Sequence, residues 1–268
     1  MFYNYSEINY RVMSDTKHQY ETIPALKEAV RHSIESQQLV LEQSDVPYNA
    51  APASGCTRYV VSGKRSFEAA KGYTGKKVAV LNFANNHSIG GAPFSAGAQE
   101  ESLCRCSTLL ACLSEMRDSF YERHISAYLS KKMNYMGNDD IIYTPDVVVF
   151  KTDERTNPIE PQMMPEKDWY AVNVITCAAP ELRKCFESIP SDYESKLRQR
   201  IKRILDVAAT NGNEVLILGA WGCGAFRNPS VIVARLFHEE LAHYNFEVVE
   251  FALSSNNDVS QSVFAKEF

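Results

Sequence analysis

The chain has little excess charge, no long apolar run and no ordered cysteine framework. Each lack removes a class of function. The net charge is −5 over 268 residues, which argues against a surface built to neutralise nucleic-acid phosphates, though it leaves room for a local basic groove, and direct nucleic-acid binding is not expected. No apolar stretch approaches the roughly 20 residues needed to span a bilayer, and no membrane partner is expected. The first residues, "MFYNYSEINYRVMSD", show no positive segment followed by an apolar one, so no secretory signal is expected. The seven cysteines, Cys56, Cys104, Cys106, Cys112, Cys177, Cys185 and Cys223, are odd in number and lack disulfide-scaffold spacing. They read as reduced thiols of a cytoplasmic protein. "CRC" at 104–106 has neither CxxC spacing nor a nearby histidine, so no metal is expected there. GxGxxG and GxxxxGK[ST] are missing, which leaves a dinucleotide fingerprint and a P-loop without support. There is no internal repeat and no low-complexity tract.

What is present is the composition of an ordinary globular protein, 45% apolar and 23% charged, with enough chain for one large core. The segment 22–44 has apolar residues at helical intervals, bracketed by Thr22 and Ser44 with Pro47 beyond, and predicts a helix. "TRYVVS", 57–62, predicts a short strand, and the near-continuous apolar run "KKVAVLNFA", 76–84, a strand buried on both faces. A helix is expected from Gln99 to about Met116. "DDIIYTPDVVVFK", 139–151, gives two strand pieces broken at Pro145. Residues 152–168, with three prolines, read as an exposed loop. Strands are expected in 169–180, 213–226 and 246–253, and helices in 191–212 and 228–243, with a short closing helix. Alternation of strands and helices in the second half implies parallel pairing with helices on both sheet faces. The expected organisation is an N-terminal helical extension, 1–56, packed on one α/β domain, 57–268.

Two loops that leave strand ends carry glycine: "IGGAPFSAGA", 89–98, and "GAWGCGAF", 219–226. In open α/β sheets ligands collect at the carboxyl ends of strands, and successive backbone N–H groups in such loops form anion-binding concavities. Together the loops suggest a phosphate or diphosphate pocket. Directly after the first loop stand Gln99, Glu100 and Glu101. Acidic residues in a first helical turn complement the helix dipole, so on these grounds alone the pair reads as two solvated caps.

The combination in "NFANNHSIGGAPFSAGAQEE" and "GAWGCGAF" resembles the poly(ADP-ribose) glycohydrolase family, whose signature is GGG-x(6–8)-QEE followed by a second diphosphate loop. "DDIIYTPDVVVFK" and "VNVITCAAP" resemble its microbial branch. The resemblance runs from about Thr57 to the C-terminus. It implies a macrodomain, a three-layer α/β/α sandwich with a mixed sheet. It implies hydrolysis of the ribose–ribose bonds of poly(ADP-ribose), without cofactor or metal. Glu101 is then the general acid, Glu100 holds hydroxyls of the ribose being cleaved, and Gln99 supports the loop or the ribose. Asn85 contacts a ribose hydroxyl. Gly90 and Gly91 are the first two loop glycines, and Gly222, Cys223, Gly224, Ala225 and Phe226 turn backbone N–H groups to the diphosphate. The expected partners are ADP-ribose, its polymer and ADP-ribosylated proteins, met by a monomer. One departure stands out: Ala92 replaces the third glycine, which costs energy if that position needs positive φ. Phe226 and Phe251 are candidates to stack on adenine. A binding-only macrodomain, a hydrolase of another ADP-ribosyl adduct, and a thiol enzyme using Cys223 or Cys177 are the competing readings.

Overall fold

The computed structural model describes residues 4–46, 57–154, 159–184, 188–254 and 258–268. Pro47, Cys56, Cys185 and part of the 152–168 loop lie outside these described residues. The strands are β1 (Gln38–Val40), β2 (Arg58–Ser62), β3 (Val78–Phe83), β4 (Ile141–Val149), β5 (Tyr170–Cys177), β6 (Val215–Leu218) and β7 (Val248–Ala252). They form one sheet in the order β1-β4-β5-β3-β6-β7-β2. Pairing is parallel from β5 through β3, β6 and β7 to β2, while β4 runs antiparallel to both β5 and β1. The sheet is therefore mixed.

Helices cover both faces. On one side lie α1 (Tyr5–Thr22), α2 (Pro24–Glu35), α3 (Ser66–Lys71), α4 (Gln99–Cys106) and α5 (Leu109–Glu115). A π-helical segment, Arg117–Glu122, runs from α5 into α6 (Arg123–Leu129). On the other side lie α7 (Tyr193–Thr210), α8 (Ser230–Leu241) and α9 (Asp258–Glu267). The period of two along each strand serves both layers. Val78 and Val80 face the first, and Ala79 and Leu81 the second; Val215 and Ile217 divide from Leu216 and Leu218 in the same way. This is why β3 reads as an unbroken apolar run.

Three departures from the sequence reading have local causes. The helix expected over 22–44 ends at Glu35, and residues 38–40 become the edge strand that pairs with Ile141–Tyr143. The N-terminal segment is thus joined to the sheet as well as packed on it. The helix expected from Gln99 to Met116 is interrupted at Ser107, which is extended (φ −147°) and bridges to Val149. Ser107 and Thr108 supply this break, because the Ser107 hydroxyl donates to Leu103 O (2.8 Å) and the Thr108 hydroxyl accepts from Val148 N (3.1 Å). Such residues offer the backbone an alternative to the helical ladder. The two strand pieces around Pro145 are one strand with a bulge between Thr144 and Val147. There Asp146 takes φ +53° and its N–H donates to Asn173 Oδ1 (3.2 Å).

Candidate active site

The carboxyl ends of β3 and β6 lie side by side, and both glycine loops leave from there. A cavity of about 500 Å³ opens between them. Its walls bring together Asn85, Gln99, Glu100, Glu101, Gly222, Gly224, Ala225 and Phe226 with Arg65, Asp153 and Arg183. A wider surface groove of about 840 Å³ runs on the outer side of the first loop, between α1, α2 and α5. It meets Gly91 and Ala92 but neither catalytic candidate, so chemistry, not size, marks the smaller cavity as the site.

Helix α4 starts at Gln99, so Glu100 and Glu101 occupy its first turn. They are not solvated caps: Glu100 is 3% and Glu101 8% exposed. Glu100 Oε2 accepts from Asn85 N (2.8 Å), and Oε1 accepts from Asn82 Nδ2 (3.2 Å). Burial outweighs these two bonds and, with the neighbouring Glu101, pushes the Glu100 carboxyl up to about 8. Glu101 Oε1 accepts from Ala92 N (3.1 Å), while Oε2 is buried with no partner. A buried carboxyl oxygen without a partner is costly.

Gly91 explains why the loop is built of glycine. Its φ is +70°, and a Cβ there would stand 2.4 Å from Glu101 Oε1. Ala92 lies outside the left-handed region, and what the third position supplies is its N–H to Glu101. Alanine therefore serves there without strain. Gly90 and Gly91 shape the loop and do not line the cavity.

Of the two supports expected of Gln99, for the loop or for the ribose, the hydrogen bonds it makes are all to the protein. It lines the cavity, but its amide is committed to the protein: Oε1 accepts from Phe83 N (2.9 Å), and Nε2 donates to Leu81 O (2.8 Å) and Ser66 Oγ (3.0 Å). It ties the start of α4 to the end of β3.

The second loop is fixed by Trp221 and Asn228. The buried Trp221 indole donates to Cys177 O (3.0 Å). Asn228 Nδ2 donates to Pro180 O (2.8 Å) and Gly222 O (3.0 Å), and its Oδ1 accepts from the Tyr193 hydroxyl (2.8 Å). Gly222 has φ +73°, and a Cβ would meet Ala179 Cβ at 2.5 Å. The N–H groups of Gly222, Gly224, Ala225 and Phe226 find no acceptor among the described residues. Unsatisfied backbone donors at the mouth of a parallel sheet attract anions. Cys223 differs from the expectation: its N–H donates to Ala220 O (3.0 Å), and it does not line the cavity. Its side chain packs on the core cluster, and burial pushes the thiol up to about 12. Cys177 is buried and likewise pushed up to about 12, so neither supports thiolate chemistry at neutral pH. Phe251 is fully buried among Phe237, Phe264 and Phe268 and is core; Phe226 lines the cavity beneath the Arg183 guanidinium.

Sequence reasoning missed the struts. Buried Arg105, in α4, donates to Pro93 O (2.8 Å) and Ala96 O (2.7 Å), and Asn9 Nδ2, from α1, donates to Ser95 O (3.0 Å) and Ala96 O (3.1 Å). Arg200, 1% exposed, ties Asp139 to Ala178 O and Met136 O below the β5 end. Arg65 pairs with buried Asp153 (2.8 Å) and bonds Ser102. The composition "CRC" held a signal for Arg105: an arginine between residues of a buried helix face must be paired internally.

The fold and site define a macrodomain-like glycosidase: two loops at parallel strand ends, one offering carboxyl groups, the other backbone N–H. The profile of the family described as "Microbial-type PARG, catalytic domain" matches residues 10–152, more than half of the chain. The chain belongs to that family, the microbial-type poly(ADP-ribose) glycohydrolases. The match begins within α1, upstream of the point at which the motifs begin the resemblance. Among solved structures, poly(ADP-ribose) glycohydrolase from Thermomonospora curvata is 28% identical with TM-score 0.83, covering 97% of this chain and 99% of that one. The same enzyme bound to the inhibitor ADP-HPD gives TM-score 0.80 at 28% identity over the same shares. The enzyme from Deinococcus radiodurans in complex with ADP-ribose is 31% identical with TM-score 0.76, covering 89% of this chain and 96% of that one. No curated protein matches the sequence.

Proposed function

We infer that this glycosidase releases ADP-ribose from poly(ADP-ribose) with Glu101 as general acid. The observation that carries the assignment is Glu101 Oε2, enclosed in the cavity wall without a protein partner. Glu101 gives its proton to the leaving ribose oxygen as the anomeric carbon–oxygen bond breaks. The sugar passes through an oxocarbenium-like state. Water then adds to the anomeric carbon and returns a proton to the Glu101 carboxylate, which closes the cycle. Glu100, held by Asn82 and Asn85, receives hydroxyls of the reacting ribose. The free N–H groups of the second loop receive the diphosphate. Phe226 and Arg183 close the wall beside it.

The described cysteines, Cys104, Cys106, Cys112, Cys177 and Cys223, are unpaired, which supports a reducing cytoplasmic setting. Among the described residues no helix is long and apolar enough to cross a membrane. The substrates we assign are ADP-ribosylated proteins and free polymer, bound by a monomer.

Release of ADP-ribose from labelled polymer tests the reading, with calorimetry beside it. ADP-ribose should bind in the micromolar range, about −8 kcal/mol, and AMP more weakly. Binding without turnover would make the protein a reader of ADP-ribose. Equal affinity for ADP-ribose and AMP would dissolve the two-loop pocket.

A further inference from the structure

The main cavity does not end at the reacting ribose. A second hollow of about 260 Å³ shares Asn85, Ala179, Arg183 and Phe226 with it. Its own walls are His87, Tyr128, Tyr135, Glu181 and Lys184. His87 and Tyr128 meet edge to face, with ring centroids 5.3 Å apart, and the Lys184 ammonium lies 5.0 Å from the Tyr128 ring centroid. His87 Nε2 is enclosed and has no hydrogen-bond partner. Burial and the nearby Lys184 lower the His87 pKa, which keeps the ring neutral at neutral pH. Arg183 and Lys184 are partly balanced by Glu181, with which both are paired, so one positive charge remains in excess.

Of the shared residues, Asn85 is the one that the functional reading sets against the reacting ribose, so on that reading the hollow adjoins the sugar whose bond breaks. What continues beyond that sugar is whatever leaves. In poly(ADP-ribose) the leaving oxygen is a hydroxyl of the next unit's adenosine ribose, so an adenine stands one sugar away from the scissile bond and a diphosphate follows it. We propose that the hollow lined by His87, Tyr128 and Lys184 is the subsite for the leaving ADP-ribose unit, the rings receiving its adenine and Lys184 its diphosphate. This rests on the polymer-hydrolase reading above. Aromatic faces accept any base, and each base–ring stack is worth a measurable share of affinity. The subsite would give the enzyme preference for a nucleotide leaving group over a plain hydroxyl.

Two substrates separate the subsite from the reaction itself: the polymer, and ADP-ribosyl 4-nitrophenol, whose leaving group carries no nucleotide. Tyr128→Ala should raise KM for polymer about tenfold. Lys184→Glu, at an exposed position, should raise it severalfold, with the difference fading at high salt. Both variants should cleave the nitrophenyl glycoside at the parent rate and bind ADP-ribose as the parent does. Unchanged polymer KM in both variants overturns the subsite while leaving polymer hydrolysis intact. Equal losses on both substrates also overturn it, since the residues would then only support Asn85. A parent that cleaves the glycoside but not polymer overturns the functional reading, and the subsite with it.

Discussion

The two loops at the strand ends are built on opposite principles. The first, 84–98, is stapled from behind by side chains: Arg105 and Asn9 hold its carbonyls, and Glu101 holds the Ala92 N–H. The second, 219–228, is held by Trp221 and Asn228 and leaves the N–H groups of Gly222, Gly224, Ala225 and Phe226 without an acceptor among the described residues. On the proposed roles, the difference follows from what each loop presents. A proton donor has to be one side chain at one place, so its surroundings are over-determined. A diphosphate is met by several backbone dipoles, so its loop needs shape more than side-chain chemistry. Damage to the first loop should therefore appear in turnover, and damage to the second in affinity.

The largest expected effect is at Glu101. Glu101→Gln keeps the volume but cannot transfer a proton, so kcat on polymer should fall about 10²-fold or more with ADP-ribose affinity nearly kept. Parent-like hydrolysis by that variant would sink the assignment of the acid.

The glycines set the loops directly against each other. In Gly91→Ala the new Cβ collides with Glu101 Oε1, and kcat should fall about tenfold or more while ADP-ribose affinity is largely retained. In Gly222→Ala the collision is with Ala179 and Asn228, and ADP-ribose affinity should weaken by about tenfold. If both variants lose turnover and affinity in the same proportion, the division of labour between loops is wrong.

Glu100 carries a pH signature. Its folded-state pKa is raised to about 8 by burial. The folded state therefore holds a proton that the unfolded chain has already released. The resulting stability is fully present below about 4.5, the ordinary carboxyl value, and is lost as pH rises through about 8. The slope over that window is at most about 1.4 kcal/mol per pH unit for a single group. Urea unfolding at pH 5 and pH 8 should show the parent losing stability across the window and Glu100→Gln losing less. Identical pH dependence in the two proteins would remove the buried, protonated carboxyl from the account.

The smallest effect is expected behind the first loop. Asn9→Ala removes two part-buried bonds to loop carbonyls and should cost about 1 kcal/mol of stability. If turnover then falls severalfold with affinity intact, α1 steadies the acid; a change in stability alone would restrict it to packing.

Much of the frame was legible because burial on both faces leaves a signature in the chain. β3, β5, β6 and β7 were found within a few residues, as were α7 and α8, whose apolar stripes and end signals are local. β1, α3 and α6 were not found. β1 is three residues long and exists because Ile141–Tyr143 offers an edge to pair with, a long-range fact that no local pattern records. The break of the QEE helix at Ser107 depends on Val149 in the same way.

At the site, the sequence by itself determined the parts: the two loops, Glu100 and Glu101, Asn85, and the small residues that let backbone approach backbone. Motif spacing carries these, because each part is contiguous in the chain. Only the tertiary structure decided their surroundings. Sequence spacing could not distinguish caps in water from carboxyls inside a wall, since burial is set by α1, β3 and the loop folding over α4. It could not show that Gln99 is spent on the end of β3, that Phe251 is core, or that Ala92 needs no positive φ. Nor could it place Asn9 and Arg200, whose partners lie far along the chain. Hydrogen bonds and desolvation act through space, and which residues share that space is settled when the sheet orders its strands.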